Sequence, residues 1–155
     1  MIQPGERAPD FTLVDQHGRE VASARLRGSR VALVFFPLAF SGVCGDELAE
    51  LAANTAMFDE AQTQLVGVTV DSVFALRAWS DAAGATFPLA SDFWPHGHVA
   101  RRFGAFDERT GRADRATIMI DEGGIVRASF RAPPHRPRSL AQYTEALAAL
   151  PHAAS

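Results

Sequence analysis

The sequence predicts an α/β fold in which a central mixed sheet carries helices on both faces. Two observations predict it. The buried-type runs "RVALVFF" (30–36) and "QLVGVTVD" (64–71) each lead into a segment with apolar residues at helical spacing. Farther on, the alternating runs of "ATIMIDEGGIVRASF" read as a hairpin joined by "DEGG", with one more helical segment after it. A βαβ unit joined to a ββα unit puts helices over both faces of one sheet.

The elements follow in order. "PDFTLVDQHGREVA" reads as two short strands around a turn containing "HG", an N-terminal hairpin. "RVALVFF" is a strand buried on both faces, ended by a proline turn. Leu48, Leu51, Ala52, Thr55 and Phe58 then recur at helical spacing, which predicts one amphipathic helix from 43 to about 60. "QLVGVTVD" is a second buried strand, and "VFALRAWSDAAG" a helix closed by Gly84. "SDFWPHGHVARRFGAF" reads as a short helix with irregular flanks. "GIVRASFRAPPHRPR" reads as an exposed connection into a last helix over roughly 138–150. This arrangement is the thioredoxin fold with an N-terminal β-hairpin extension, expected as one domain over residues 1–155.

Composition narrows the function. The apolar fraction is 47%, the charged fraction 21% and the net charge −3, which fits a globular domain and argues against a nucleic-acid binder. All 15 basic residues are arginine, with no lysine. "MIQPGERAPDF" lacks the apolar core of a secretory signal, and "VALVFFPLAF" is too short to span a bilayer. One cysteine builds neither a disulfide framework nor a thiolate zinc site. A reducing cytoplasm and no membrane association are the expectation.

That cysteine, Cys44, falls in the first turn of the predicted helix, just past the end of a buried strand. Open α/β sheets place their sites at that edge. Free N–H groups and the positive end of the helix dipole favour a thiolate there. Most lone cysteines are inert packing, and position alone leaves both readings open.

The neighbours decide between them. Pro37, Ser41 and Cys44 spell P-x-x-x-S-x-x-C, which resembles the active-site signature of the peroxiredoxins, P-x-x-x-(T/S)-x-x-C. Glu47, three residues on, matches a commonly acidic position of that family. In "DRATIMID", Arg115 stands two residues ahead of a strand-starting Thr, similar to the family's second site segment. The resemblance runs from "GERAPDFTLVDQHG" through "SDFW" to the last helix. "F-S-G-x-C-x-x-E-L" and "SDFWPHG" are closest in texture to an actinobacterial alkyl hydroperoxide reductase group within the family.

The resemblance implies a peroxidase in which Cys44 is the nucleophile, and each neighbour has a physical reason to be there. Ionising a thiol with a pKa of about 8.5 gains only about 30-fold in thiolate at pH 7. A fast peroxidase therefore needs stabilisation of the charge moving onto the two peroxide oxygens. Arg115 supplies a permanent charge and several donors. The Ser41 hydroxyl both accepts and donates, and backbone N–H groups near Val43 and Cys44 add donors. Pro37 is a rigid wall without an N–H. Glu47 would orient an arginine.

Attack leaves a sulfenic acid, and this chain holds no second thiol to condense with it. The reductant is external: a low-molecular-weight thiol or a redoxin. The resemblance implies mycothiol and a mycoredoxin or thioredoxin-like protein in that role. As substrates it implies hydrogen peroxide, organic hydroperoxides and peroxynitrite, and as assembly a homodimer. Two other classes remain: a redox sensor that passes its oxidation to a partner, and a thioredoxin-fold interaction module with a buried, inert cysteine. No cofactor is expected, and "HGH" (His96 and His98), without a nearby thiolate, makes a poor metal site. Arg101 and Arg102 read as a solvated helix face. Trp79, Phe93 and Trp94 read as packing or subunit-contact residues.

Overall fold

Every side chain of β3 (Arg30–Phe35) is buried, because this strand is paired on both edges and covered on both faces. In the computed structural model, which describes residues 1–151, β3 runs parallel to β4 (Thr63–Thr69) and antiparallel to β8 (Arg115–Ile120). The sheet has seven strands in the order β2-β1-β5-β4-β3-β8-β9. β1 (Thr12–Asp15) and β2 (Glu20–Ala22) form the N-terminal hairpin, and β1 also pairs with β5 (Leu89–Ser91), so the hairpin extends the main sheet. β9 (Val126–Ala132) closes the other edge.

Alternation along β3 divides the interior into two layers. Val31, Leu33 and Phe35 pack with Phe11, Val99 and Phe103 on one face. That layer is covered by α1 (Ser23–Leu26), through Leu26, and by α5 (His98–Arg102). Ala32, Val34 and Phe36 face the other way, against Leu48, Phe58, Trp79 and Tyr143. These come from α2 (Gly42–Ala53), α3 (Ala56–Glu60), α4 (Val73–Ala83) and α6 (Leu140–Ala148). Gly84 ends α4 in the left-handed region at φ 68°, as its position in the sequence predicts.

Several details differ from the sequence reading. The helix expected over 43–60 is two, α2 and α3. Asn54 leaves the helical region at φ −128°, and its Nδ2 donates to the Glu50 carbonyl at 2.8 Å, a side-chain bond that competes with the helix ladder. Three short strands lie within or beside segments read as irregular: β5, and a small hairpin of β6 (Phe106–Asp107) and β7 (Arg112–Ala113). They are too short for a period of two to register. The second run of the expected hairpin is β9, and it continues two residues past Phe130, through Arg131 and Ala132, into the segment read as an exposed connection. No helix among the described residues is long and apolar enough to cross a membrane.

Candidate active site

The chain leaves β3 through Phe36, whose N–H still donates to the Val68 carbonyl of β4 at 2.9 Å. Pro37 follows, buried. The loop is then tied to the end of β4, where Asp71 Oδ2 accepts from the Ala39 N–H at 2.8 Å. Phe40 turns the chain with φ at 64° and leaves its ring 58% exposed. Ser41 is the N-cap of α2 but does not cap it with its side chain; its hydroxyl donates to the Leu38 carbonyl at 2.9 Å. The first-turn N–H groups of Gly42, Val43 and Cys44 have no acceptor within the helix. Cys44 is completely buried at this helix end.

Arg115, the first residue of β8, reaches the cysteine from the neighbouring strand. Its Nη1 donates to Cys44 Sγ at 3.4 Å and also to Glu47 Oε1, while Nη2 donates to the Pro134 carbonyl at 2.7 Å. Its Nε is buried without a hydrogen-bond partner among the described residues. Burial works against the charge, yet the contacts with Cys44 and Glu47 raise the Arg115 pKa above its ordinary value.

Glu47 lies one turn beyond Cys44 on α2 and is held from the opposite side by Arg138. Glu47 Oε2 accepts from the Arg138 backbone N–H at 2.7 Å and from its Nε at 2.8 Å, and Oε1 accepts from Nη2 at 3.0 Å. Arg138 Nη1 donates in turn to the Ala116 carbonyl and the Thr117 hydroxyl on β8, at 2.8 and 3.1 Å. Burial pushes the Glu47 carboxyl up. The hydrogen bonds and charge of Arg138, with the Arg115 charge behind them, outweigh it and hold Glu47 below its ordinary value. A buried carboxylate with two arginines satisfies the requirement that interior charges be paired and hydrogen-bonded.

The expected site residues thus meet in one place. Cys44, Glu47 and Arg115 are in direct contact or share a donor, while Pro37, Ser41 and Val43 line the adjoining surface. Arg138 corrects the sequence reading: it ends "GIVRASFRAPPHRPR", expected to be an exposed connection, but is 1% exposed and lies inside the network. Ser139 and Gln142 form a capping box that marks the start of α6, but it is a local, exposed motif and carries no signal that the residue before it is buried. Trp79 is core, packed edge-on to Phe36 at 5.4 Å, whereas Trp94 is 82% exposed and Phe93 is also exposed. His96 does not pair with His98; its Nε2 is 2.7 Å from the Gly111 carbonyl.

In front of Cys44 opens a cleft of about 700 Å³, bounded by the α2 N-terminus, the β6–β7 hairpin and the segment after β9. Arg115, Ser41 and Val43 stand in its wall. The buried sulfur lies behind them.

A buried thiol beside a guanidinium at the edge of a thioredoxin-like sheet is the arrangement of a class, the thiol peroxidases of the peroxiredoxin kind, and comparison with known proteins agrees. The AhpC/TSA family profile matches residues 4–129, and the chain belongs to that family. It is 41% identical over 151 residues to alkyl hydroperoxide reductase E of Mycobacterium bovis, a match spanning 97% of this chain and 99% of the relative. Among solved structures it resembles Enterococcus faecalis AhpC with a TM-score of 0.87 and 27% identity, covering 96% of this chain and 92% of that one. It also resembles the peroxidoxin BcpB of Mycobacterium tuberculosis, with a TM-score of 0.83, 26% identity and 96% of each chain covered.

Proposed function

We propose that this peroxiredoxin works as a single domain in which Cys44 is the peroxidatic nucleophile and Arg115 its electrostatic activator. The observation that carries the reading is the Arg115 contact to Sγ at 3.4 Å, made by a guanidinium whose Nε has no protein acceptor among the described residues. A buried donor left without an acceptor is costly. A peroxide oxygen entering beside Sγ supplies one.

The thiolate attacks the terminal oxygen of the hydroperoxide. An S–O bond forms, the O–O bond breaks, and its electron pair leaves on the alkoxide oxygen, which takes the peroxide proton to become an alcohol. Sulfur is oxidised to the sulfenate. Arg115 and the free N–H groups of Val43 and Cys44 meet the charge as it moves onto oxygen. Ser41 can turn its hydroxyl from the Leu38 carbonyl to the peroxide, and Pro37 keeps water from the sulfur. Glu47 and Arg138 act through Arg115 by fixing its direction.

An external thiol condenses with the protonated sulfenate to give a mixed disulfide and water, and a second thiol releases Cys44. A low-molecular-weight thiol such as mycothiol, or a mycoredoxin or thioredoxin-like protein, takes this role. Hydrogen peroxide, organic hydroperoxides and peroxynitrite are the proposed substrates; the name of the Mycobacterium bovis relative favours the organic ones. The cytoplasm, which supplies such thiols, is the proposed compartment. We also read the protein as a homodimer: Phe40, Phe74, Phe93 and Trp94 are exposed on segments that follow the C-terminal ends of β3, β4 and β5, beside the site.

The test is turnover. Hydroperoxide consumption supported by an added thiol or redoxin, and abolished in Cys44→Ser, is the expected result. One equivalent consumed without thiol-supported turnover would describe a sensor rather than an enzyme.

A further inference from the structure

Hydrogen peroxide needs little space, whereas the cleft in front of Cys44 has the volume of a site for a drug-sized molecule. Its charge is also unlike that of the chain. Four arginines and two aspartates line it, on a protein whose net charge is −3. Two of the four are neutralised: Arg115 by Glu47, and Arg131 by Asp114 at 3.3 Å. Arg109 and Arg112 have no carboxylate within salt-bridge distance among the described residues, since the neighbouring pairs go to Arg101, Arg115 and Arg131. Asp107, beside them, turns a carboxylate oxygen to the Arg109 backbone N–H at 3.0 Å. The Thr110 hydroxyl, that N–H and the more distant Arg109 charge together hold the Asp107 carboxyl below its ordinary value, so Arg109 is partly compensated and Arg112 is not.

Both arginines belong to the β6–β7 hairpin, and that hairpin is anchored. Arg101 holds Glu108 with two bonds of 2.9 and 3.2 Å and lies 4.1 Å from the Phe106 ring centroid. His96 is bonded to the Gly111 carbonyl. Gly97 packs so closely under Phe106 that a Cβ there would lie 2.5 Å from the ring. The same cleft is also lined by Pro37, Val43, Pro133 and Pro134, so apolar surface and free arginines share it beside the residues that cover the sulfur.

We propose that Arg109 and Arg112 form an anion subsite that receives the carboxylate of a co-substrate while its reactive end reaches Cys44. Guanidinium groups match a carboxylate in charge and in donor geometry. An excess of positive charge within a cleft also concentrates anions and raises their association rate. Peroxide and reductant reach the same sulfur, so the carboxylate can belong to an organic hydroperoxide or to the reducing thiol. The inference rests on the peroxidase reading above.

The experiment separates these sources and separates this inference from the reading beneath it. Oxidation of Cys44 is timed with an aryl hydroperoxide bearing a carboxylate, with its methyl ester and with hydrogen peroxide. Reduction of the resulting sulfenate is timed with 3-mercaptopropionate and with its methyl ester. The acid is expected to outpace its ester by about tenfold at low salt in at least one arm, and the advantage to shrink as salt is added. In the double variant Arg109→Gln, Arg112→Gln the ratio is expected to fall toward one. A preference in the peroxide arm assigns the subsite to oxidation, and a preference in the thiol arm assigns it to resolution. Ratios of one in both arms with the unmodified protein overturn the inference, as does a preference that survives the double substitution. Failure of hydrogen peroxide and both aryl compounds to oxidise Cys44 would overturn the peroxidase reading instead.

Discussion

Arg138 and Glu47 are 91 residues apart in the chain, yet the guanidinium of one grips both carboxylate oxygens of the other, at 2.8 and 3.0 Å. Neither side chain has appreciable contact with solvent. Glu47 passes this fixed position on to Arg115, and Arg115 passes it to Cys44. Arg138→Lys keeps the charge and loses the fork, which leaves Arg115 less well aimed. Displacing a catalytic group by about 1 Å can cost ~100-fold. We expect Cys44 oxidation to slow by at least tenfold with the fold retained, read by stopped-flow fluorescence alongside circular dichroism.

The same pair predicts acid lability. Glu47 has a folded pKa below its ordinary 4.5, so the stability it contributes is present above that value and is lost as pH falls through the lowered one. Glu47→Gln, which cannot ionise, should flatten the dependence of unfolding free energy on pH over that acid range. Glu47→Ala leaves two buried guanidiniums without their anion and should cost about 3–5 kcal/mol in chemical denaturation. An unchanged acid slope in Glu47→Gln would remove Glu47 from the account.

Arg115→Ala distinguishes two roles for the arginine. Loss of thiolate alone, by return to a pKa of about 8.5, is limited to about 30-fold at pH 7, whereas loss of a donor to the developing charge is worth about 100- to 1,000-fold. We expect the larger figure at neutral pH, and persistence of most of it when pH is raised far enough to ionise the thiol. A deficit confined to about 30-fold and recovered at high pH would mean that Arg115 only ionises the sulfur.

Ser41 offers a separation of stability from chemistry. Its hydroxyl donates to the Leu38 carbonyl and makes no cap bond, so Ser41→Ala should cost less than the ~1 kcal/mol of a lost N-cap. Peroxide oxidation should nevertheless slow. Ser41→Thr adds a methyl that restricts the hydroxyl's rotation, and should match or exceed the native rate.

Tyr143 gives a prediction about the core beside the network, where its hydroxyl lies near Thr117 and feels the charges of Arg138 and Glu47. Its ring packs edge-on to Phe58 and Phe130, and its hydroxyl is buried without a partner among the described residues. Burial pushes its pKa up to about 12. Tyr143→Phe removes an unsatisfied group at nearly constant shape, so it should be neutral or stabilising by about 1 kcal/mol.

Local patterning made much of this molecule legible. β3 and β4 announced themselves as continuous apolar runs, and "DEGG" marked the β8–β9 turn, because each signal is contained within a few residues. The spacing of Pro37, Ser41 and Cys44 is likewise local, and the resemblance it carries drew in Arg115. Arg138 escaped because its environment is made by distant elements, α2 and β8, while its neighbours in sequence are prolines and an exposed arginine. The break at Asn54 escaped because apolar spacing continues across it into Phe58. The β6–β7 hairpin, with two residues per strand, is held by Arg101 and His96 from another segment, and no period within it could reveal that.

The central claim is that Cys44 is a peroxide-reactive nucleophile activated by Arg115. It is tested most directly by mixing reduced protein with hydrogen peroxide or an organic hydroperoxide in a stopped-flow instrument, following tryptophan fluorescence, and identifying the product by mass spectrometry. The account predicts oxidation orders of magnitude faster than that of a free thiol, with one oxygen added at Cys44. A rate no greater than a free thiol's, with Cys44 unmodified on that timescale, would contradict it.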